Sequence, residues 1–213
     1  MTSLVKLMLY SLLATASFAL PTQNNEEEAL TARSTCPSSM IADFDDGLKT
    51  ILPPGIDLPG DAEVQIVPDD YKGLKWNKGF RYTSFAGSVS KPNIAISDIT
   101  TALTGPPRIS LDGDMQYFNL KSARFQCQVK TLGALPLQTS CIIKVTGTKT
   151  NGETVSQQFI NKAEGFKEYT LLSPDFNKLR SVEFSQENTE LPLLTATTVL
   201  LYDNIMFDIF KDC

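Results

Sequence analysis

The sequence predicts an all-β domain, built as an antiparallel sandwich or barrel. Short alternating or apolar runs recur along the chain, and turn-forming residues separate them. Outside the N-terminal segment, no window keeps apolar residues at i, i+3, i+4 and i+7 for three turns, so helices are not expected. About ten short strands in roughly 175 residues are typical of antiparallel sandwiches and barrels.

Each predicted strand alternates apolar and polar residues or forms a short apolar run. In chain order the strands are SMIADF, AEVQIV, YKGLKW, NIAIS, MQYFNL, SARFQCQV, CIIKVTG, ETVSQQFI, KEYTLL, RSVEFS and LLYDNIMFDIF. The turns between them include PPG at 53–55, PDD at 68–70, KPN at 91–93 and LDGD at 111–114. TNGET, around Asn151 and Gly152, predicts a tight hairpin between two neighbouring strands.

The N-terminal residues predict export. Lys6 precedes an uncharged run, LMLYSLLATASFAL, that ends in small residues, which is the pattern of a signal peptide over residues 1–19. Residues 20–35 are polar and acidic, so we expect a flexible leader. No later segment reaches the roughly 20 apolar residues of a membrane-spanning helix. We therefore expect one domain over residues 36–213, in the secretory pathway and either extracellular or vesicular, with no membrane partner.

Four cysteines in an exported chain predict disulfide bonds. Proximity in sequence favours Cys127 with Cys141, which leaves Cys36 with Cys213 to join the two ends. The formal net charge of −5 argues against a nucleic-acid or anionic-membrane partner, because neither attracts an acidic surface.

The order and spacing of several stretches resemble a known family. The stretches are CPSSMIADFDDG, DYKGLKWNKGF, SVSKPNIAIS, YFNLKSARFQC, IIKVTGTKTNGETV, KLRSVEFS and LLYDNIMF. From about Cys36 to Phe210 the chain is similar to secreted fungal proteins of the galactose-binding-like type. The resemblance implies an antiparallel, disulfide-stapled jelly-roll β-sandwich. A subset of such proteins, from tropolonic sesquiterpenoid biosynthesis, implies a hetero-Diels–Alderase that joins a sesquiterpene alkene to a tropolone quinone methide in secondary metabolism.

The chain contains no histidine, which excludes Ser-His-Asp and Cys-His nucleophile systems and His-ligated zinc. Bridged cysteines also argue against thiolate catalysis. Acid–base work by carboxylates, binding without chemistry, and a reaction that needs only positioning remain. A cycloaddition belongs to the last class, because orientation and a hydrogen-bond donor suffice and no catalytic cofactor is needed.

The aromatic residues favour an apolar ligand pocket over exposed sugar platforms, since one Trp and six Tyr accompany twelve Phe. For an enzyme that acts on small apolar organic substrates, two sets of side chains are assigned. The catalytic donors are Tyr82, Tyr117 and Arg124, and the substrate-binding residues are Trp76, Tyr202 and Lys75. For each of them, ordinary packing or a solvated tip is the alternative interpretation.

Two further functions compete with the enzyme hypothesis. One is a non-catalytic secreted carbohydrate-binding or cell-wall-interacting protein of the same fold, with a glycan as its partner. The other is a two-carboxylate glycosidase, which needs two acids on one cleft wall. The oligomeric state stays open, a homodimer included.

One carboxylate stands out in the C-terminal run LLYDNIMFDIF. A period of two places Asp203 on a face that is otherwise apolar. The other members of that face are Leu201, Ile205, Phe207 and Ile209.

Pairing of the two terminal strands predicts a role for this carboxylate. If the strands pair antiparallel with Cys36 opposite Cys213, then Asp46 lies opposite Asp203. Opposed carboxylates repel unless they share a proton or bind a cation, so a structural Ca²⁺ held by Asp45, Asp46 and Asp203 is predicted. In the alternative, a bulge separates the acids and Asp203 caps backbone amides near a strand bend.

Overall fold

The structure is a computed structural model that describes residues 35–46, 48, 64–84, 88–97, 105–129, 137–170, 175–187 and 198–212. The predicted signal peptide and all but the last residue of the predicted leader lie outside the described residues, as does Cys213. Within the described ranges, no helix has the length and apolar character needed to cross a membrane.

The described residues form thirteen strands and one 3-10 turn, Tyr71–Gly73. The strands are β1 (Thr35–Ala42), β2 (Gln65–Ile66), β3 (Lys75–Trp76), β4 (Arg81–Ser84), β5 (Asn93–Ser97), β6 (Arg108–Ser110), β7 (Met115–Val129), β8 (Leu137–Gln138), β9 (Cys141–Lys149), β10 (Thr154–Asn161), β11 (Lys167–Thr170), β12 (Leu179–Glu187) and β13 (Thr198–Asp212). Two runs predicted as separate strands, MQYFNL and SARFQCQV, are continuous in β7. Three short strands, β4, β6 and β8, were not predicted, because each offers too few residues to show alternation.

All strand pairs are antiparallel, and the strands form two layers. The first layer has the order β2, β4, β5, β13, β7 and β11, with β1 beside the second half of β13 and β8 beside the end of β7. The second layer has the order β3, β6, β12, β9 and β10, and a single pair, Leu179 opposite Phe118, joins it to the first. The antiparallel jelly-roll sandwich predicted from the sequence is confirmed.

Aromatic side chains fill the space between the layers. Phe125 on β7 and Tyr202 on β13 pack against Phe184 on β12, with ring centroids 5.8 and 5.5 Å apart. Each fully buried aromatic ring contributes roughly 2 to 3 kcal/mol relative to an exposed one. The predicted disulfide between Cys127 and Cys141 is confirmed, and it ties β7 in one layer to β9 in the other. The core is therefore both aromatic and covalently stapled.

The predicted hairpin at TNGET is confirmed. Thr148 on β9 lies opposite Thr154 on β10, and the N–H of Gly152 donates to the carbonyl of Lys149 at 3.0 Å. Gly152 has a φ of 88°, which glycine adopts without steric cost.

The long strand β13 does not keep the predicted alternation. Its pairing with β7 shifts between Asp203 and Met206, and Asn204 has a φ of 47° in the left-handed region that Asn tolerates. Ile205, which follows this bulge, faces the main core, but Leu201 belongs to a separate apolar cluster on the other face of the layer. The predicted common face from Leu201 to Ile209 is therefore wrong at the bulge.

Candidate functional site

Asp203 is fully buried at this bulge and accepts hydrogen bonds from one short loop. The backbone N–H groups of Val89 and Ser90 donate to its Oδ2 at 2.7 and 3.1 Å, and the Ser90 hydroxyl donates to its Oδ1 at 2.7 Å. Burial raises the pKa of Asp203 above its ordinary value, although these hydrogen bonds act in the opposite direction. This arrangement matches the predicted alternative, in which Asp203 caps amides near a strand bend.

The terminal strands pair antiparallel, as predicted, but in a different register. Cys36 lies opposite Lys211 rather than Cys213, and β1 ends at Ala42, opposite Ile205. The prediction that Asp46 faces Asp203 is therefore wrong, because β1 stops short of Asp46. Pairing of Cys36 with Cys213 stays a prediction, since Cys213 lies outside the described residues.

The carboxylates predicted to bind calcium are each bonded to protein groups, and Ser90 bonds to both Asp45 and Asp203. Asp45 accepts the backbone N–H of Asn93 at 2.7 Å, and Asp46 forms an ion pair with Lys72, also at 2.7 Å. Burial raises the pKa of Asp45, against the effect of the Asn93 hydrogen bond. Across the described ranges, no three acidic, cysteine or histidine side chains are grouped to hold a metal ion. The structure thus does not assemble Asp45, Asp46 and Asp203 into a ligand set.

The three predicted catalytic donors do not share one pocket. Tyr82 belongs to the main core, and its hydroxyl donates to Gln65 Oε1 at 2.6 Å. Arg124 forms an ion pair with Glu168 at 2.9 Å. Tyr117 lies seven residues before Arg124 on β7, which corresponds to about 23 Å of extended strand.

Both aromatic residues that were predicted to bind substrate, Trp76 and Tyr202, lie in the core. Trp76 is completely buried, and its indole N–H donates to the carbonyl of Tyr71 at 2.6 Å. Tyr202 is completely buried with its hydroxyl 2.8 Å from that of Ser97, and burial raises its pKa far above the ordinary value. Lys75 is exposed on β3, opposite Ser110 on β6.

A pair of stacked aromatic rings lies on the outward face of the first layer. Phe118 and Leu120 point into the core, so Tyr117 between Gln116 and Phe118 points outward. Phe210 lies directly opposite Tyr117, and the two ring centroids are 4.4 Å apart with planes inclined by 21°. Both rings are partly exposed. We call this pair the Tyr117–Phe210 platform.

Polar groups form the next row of the same face. The Asp208 carboxylate binds Lys121 at 2.7 Å and accepts the hydroxyl of Ser39. Burial alone would raise the pKa of Asp208, but the bonds from Lys121 and Ser39 and the charge of Lys121 together lower it. Asn119 lies opposite Asp208, and its Oδ1 accepts the N–H of Lys178 at 2.8 Å. The platform therefore borders an ionised acceptor, an ammonium and an amide.

A surface recess of about 410 Å³ lies at the end of the second layer. It forms where β6, the turn into β7 and the start of β12 meet, because Ser110 pairs with Ser181 and Leu111 N–H donates to the Arg180 carbonyl at 3.0 Å. The lining residues are Arg108, Ser110, Leu111, Gly113, Met115, Arg180 and Ser181. The recess thus offers guanidinium groups and hydroxyls beside two apolar side chains.

Sequence reasoning missed the platform and the recess. Phe210 appeared only as part of an apolar run, and nothing local indicated that it would stack on Tyr117, since the two residues come from distant strands. Arg180 and Arg108 carried no motif. Alternation around Tyr117 was the one available signal, because consecutive residues of a strand point to opposite faces and Tyr117 therefore faces away from the side of Phe118.

No family model and no curated protein sequence matches the chain. Solved structures with a distant likeness to this chain include two carbohydrate-binding proteins. The CBM22-1 xylan-binding domain of Paenibacillus barcinonensis Xyn10C is 11% identical with a TM-score of 0.33, over 67% of this chain and 89% of that domain. A non-crystalline cellulose specific carbohydrate-binding module, CBM28, is 12% identical with a TM-score of 0.24, over 75% of this chain and 94% of that module.

Proposed function

We propose that this protein is a secreted, non-catalytic carbohydrate-binding module that holds a glycan on the Tyr117–Phe210 platform. The stacked, partly exposed rings of Tyr117 and Phe210 are the single observation that carries the proposal. One face of each ring is covered by the other ring, so the apolar C–H face of a pyranose packs against the electron-rich face that is turned away from the partner ring. Secretion rests on the sequence pattern of residues 1–19.

The polar row beside the platform suits the hydroxyl groups of a sugar. The ionised Asp208 carboxylate can accept hydroxyl protons, and the Asn119 amide has no protein acceptor for its NH₂ group among the described residues. Rings held by a β-sheet lose little conformational freedom on binding, so affinity depends less on ordering the site.

The hetero-Diels–Alderase hypothesis receives less support from the packing. Its predicted pocket walls, Trp76 and Tyr202, are completely buried, and Tyr82 is 4% exposed. Their polar atoms form hydrogen bonds with other protein groups instead of facing an open cavity. Binding without chemistry also fits a chain that has no histidine.

Depletion of the protein from solution by insoluble xylan, cellulose, β-glucan and chitin tests the proposal. We expect binding to at least one polymer and a loss of about tenfold in affinity for Tyr117→Ala and Phe210→Ala, because each removes one ring of the stack. Tyr117→Phe keeps the ring and should retain most of the affinity.

Ile160→Ala is the matched control, since Ile160 is an apolar side chain, 69% exposed, on the other layer. It should bind as the unmodified protein does. Absence of binding to every polymer, or full affinity in Tyr117→Ala, would overturn the proposed function.

A further inference from the structure

The recess and the platform both include residues of β7. Met115 lines the recess and precedes Tyr117 by two residues, about 7 Å along the strand. On the neighbouring strand, Lys211 lies opposite Met115 and Phe210 opposite Tyr117. The Met115 side chain packs against the main core, whereas Tyr117 and Phe210 face outward, so the recess and the platform are separate parts of the surface.

Positive charge predominates in the lining of the recess. The Arg180 guanidinium is exposed and forms no hydrogen bond or ion pair with any of the described residues, whereas Arg108 is bonded to Glu183. The turn carboxylates of Asp112 and Asp114 are exposed and do not line the recess. The whole chain has a net charge of −5, so the charge of the recess lining is opposite in sign to that of the chain.

Two more cations border the recess and the platform. Lys75 lies opposite Ser110, which lines the recess, and Lys178 is exposed where its N–H bonds to Asn119. Neither ammonium group has an anionic partner among the residues that the structure describes.

We propose that the recess is a second sugar-binding site, which binds the carboxylate of an acidic sugar, a uronic acid. This inference rests on the proposed function. An unpaired guanidinium binds a carboxylate through two parallel hydrogen bonds, and the Ser110 and Ser181 hydroxyls can bond to the ring hydroxyls. Leu111 and Met115 offer apolar contact to the C–H groups. A volume of about 410 Å³ lies within the usual range of ligand sites.

Calorimetric titration with matched polymers tests the inference. The probes are polygalacturonate and its methyl ester, and glucuronoxylan before and after reduction of its carboxyl groups. We expect the acidic form of at least one pair to bind about tenfold more tightly than its neutral form, with a preference that falls as salt is added. Arg180→Gln should remove that preference and leave the affinity for the neutral form unchanged.

Lys162→Gln is the charge-matched control, because Lys162 is exposed in the loop after β10, away from the recess lining. An equal loss in Lys162→Gln and Arg180→Gln would indicate general charge attraction and overturn the inference. Equal binding of acidic and neutral forms would also overturn it, while the proposed function would stand if Tyr117→Ala still lost affinity. Failure of every form to bind would overturn the proposed function itself.

Discussion

Ser90 donates both its backbone N–H and its hydroxyl to the carboxylate of Asp203, at 3.1 and 2.7 Å. The same hydroxyl lies 3.0 Å from the carbonyl of Asp43, just after β1. The Val89 N–H is a further donor to Asp203, at 2.7 Å. One buried carboxylate therefore ties a loop before β5 to the bulge in β13, and Ser90 extends the contact to the end of β1.

Replacement of Asp203 should destabilise the protein strongly. Asp203→Ala leaves two backbone N–H groups and a hydroxyl without their acceptor in a buried place, so we expect a loss of about 3 kcal/mol in the free energy of unfolding. Asp203→Asn keeps the shape of the side chain and one acceptor oxygen, so its loss in the free energy of unfolding should be about half as large. Urea denaturation followed by circular dichroism measures both.

Asp114→Ala is the matched control, because Asp114 is exposed in the turn before β7. Its free energy of unfolding should lie within about 0.5 kcal/mol of that of the unmodified protein. If Asp203→Ala were as stable as this control, the role of Asp203 as an anchor would be refuted.

The pH dependence of stability should carry a contribution from Asp203. Because burial raises its folded pKa, the folded state holds this proton more tightly than the unfolded state, whose carboxyl has a pKa near the ordinary 3.8. The contribution is therefore fully present below pH 3.8 and is lost as the pH rises through the raised folded pKa.

The difference in unfolding free energy between the unmodified protein and Asp203→Asn isolates this contribution, because other titrating groups, Asp45 and Asp208 among them, remain in both proteins. We expect the difference to shrink as the pH is raised from about 3.8 toward neutrality. A difference that grows over this range would mean that the folded pKa of Asp203 is lowered rather than raised.

The strand content could be predicted from the sequence because alternation and turn chemistry are local signals. The run LLYDNIMFDIF was correctly predicted as a strand, and the Asn151-Gly152 turn as a hairpin. The proximity of Cys127 to Cys141 in the sequence predicted the correct disulfide. The face assignment in β13 failed at Asn204, since a single left-handed residue reverses which side chains face the core.

The candidate site could not be predicted, because it depends on register between distant strands. Tyr117 and Phe210 become neighbours only when β7 pairs with β13, and the recess requires β6, β12 and the turn before Met115 to meet. Tyr82 was predicted to line a pocket as a polar tip among apolar residues, but the pairing of β4 with distant strands places it in the main core instead.

Removal of the described disulfide should lower stability by about 3 kcal/mol. Cys127 and Cys141 are separated by 14 residues, and a bond that closes a loop of this size restricts the unfolded chain by roughly that amount. The double variant Cys127→Ala/Cys141→Ala keeps small apolar side chains at two buried positions, so packing changes little. The shift of the urea midpoint measures the loss, and an unchanged midpoint would contradict the loop-closure argument.

The fluorescence of the single tryptophan, Trp76, shows whether small molecules can enter the interior of the protein. Trp76 is 0% exposed, its ring centroid is 4.8 Å from that of Phe80, and its indole N–H is bonded to Tyr71. We therefore expect blue-shifted emission that acrylamide quenches weakly in the folded protein and strongly after denaturation in urea. Glycan binding to the platform should leave the emission unchanged, because Trp76 does not contact the outward face of the first layer.

Strong quenching in the folded protein would place Trp76 in an open cavity, as the hetero-Diels–Alderase hypothesis requires. Trp76→Phe serves as the control for the assignment, since it removes the signal while keeping an aromatic ring in the core. This variant removes one of two donors to the Tyr71 carbonyl, the other being the Leu74 N–H, and it leaves a smaller ring in the core, so we expect it to fold with a loss of about 1 to 3 kcal/mol. Because the platform residues are untouched, it should bind the same glycans as the unmodified protein, which separates the closed core from the outward-facing site.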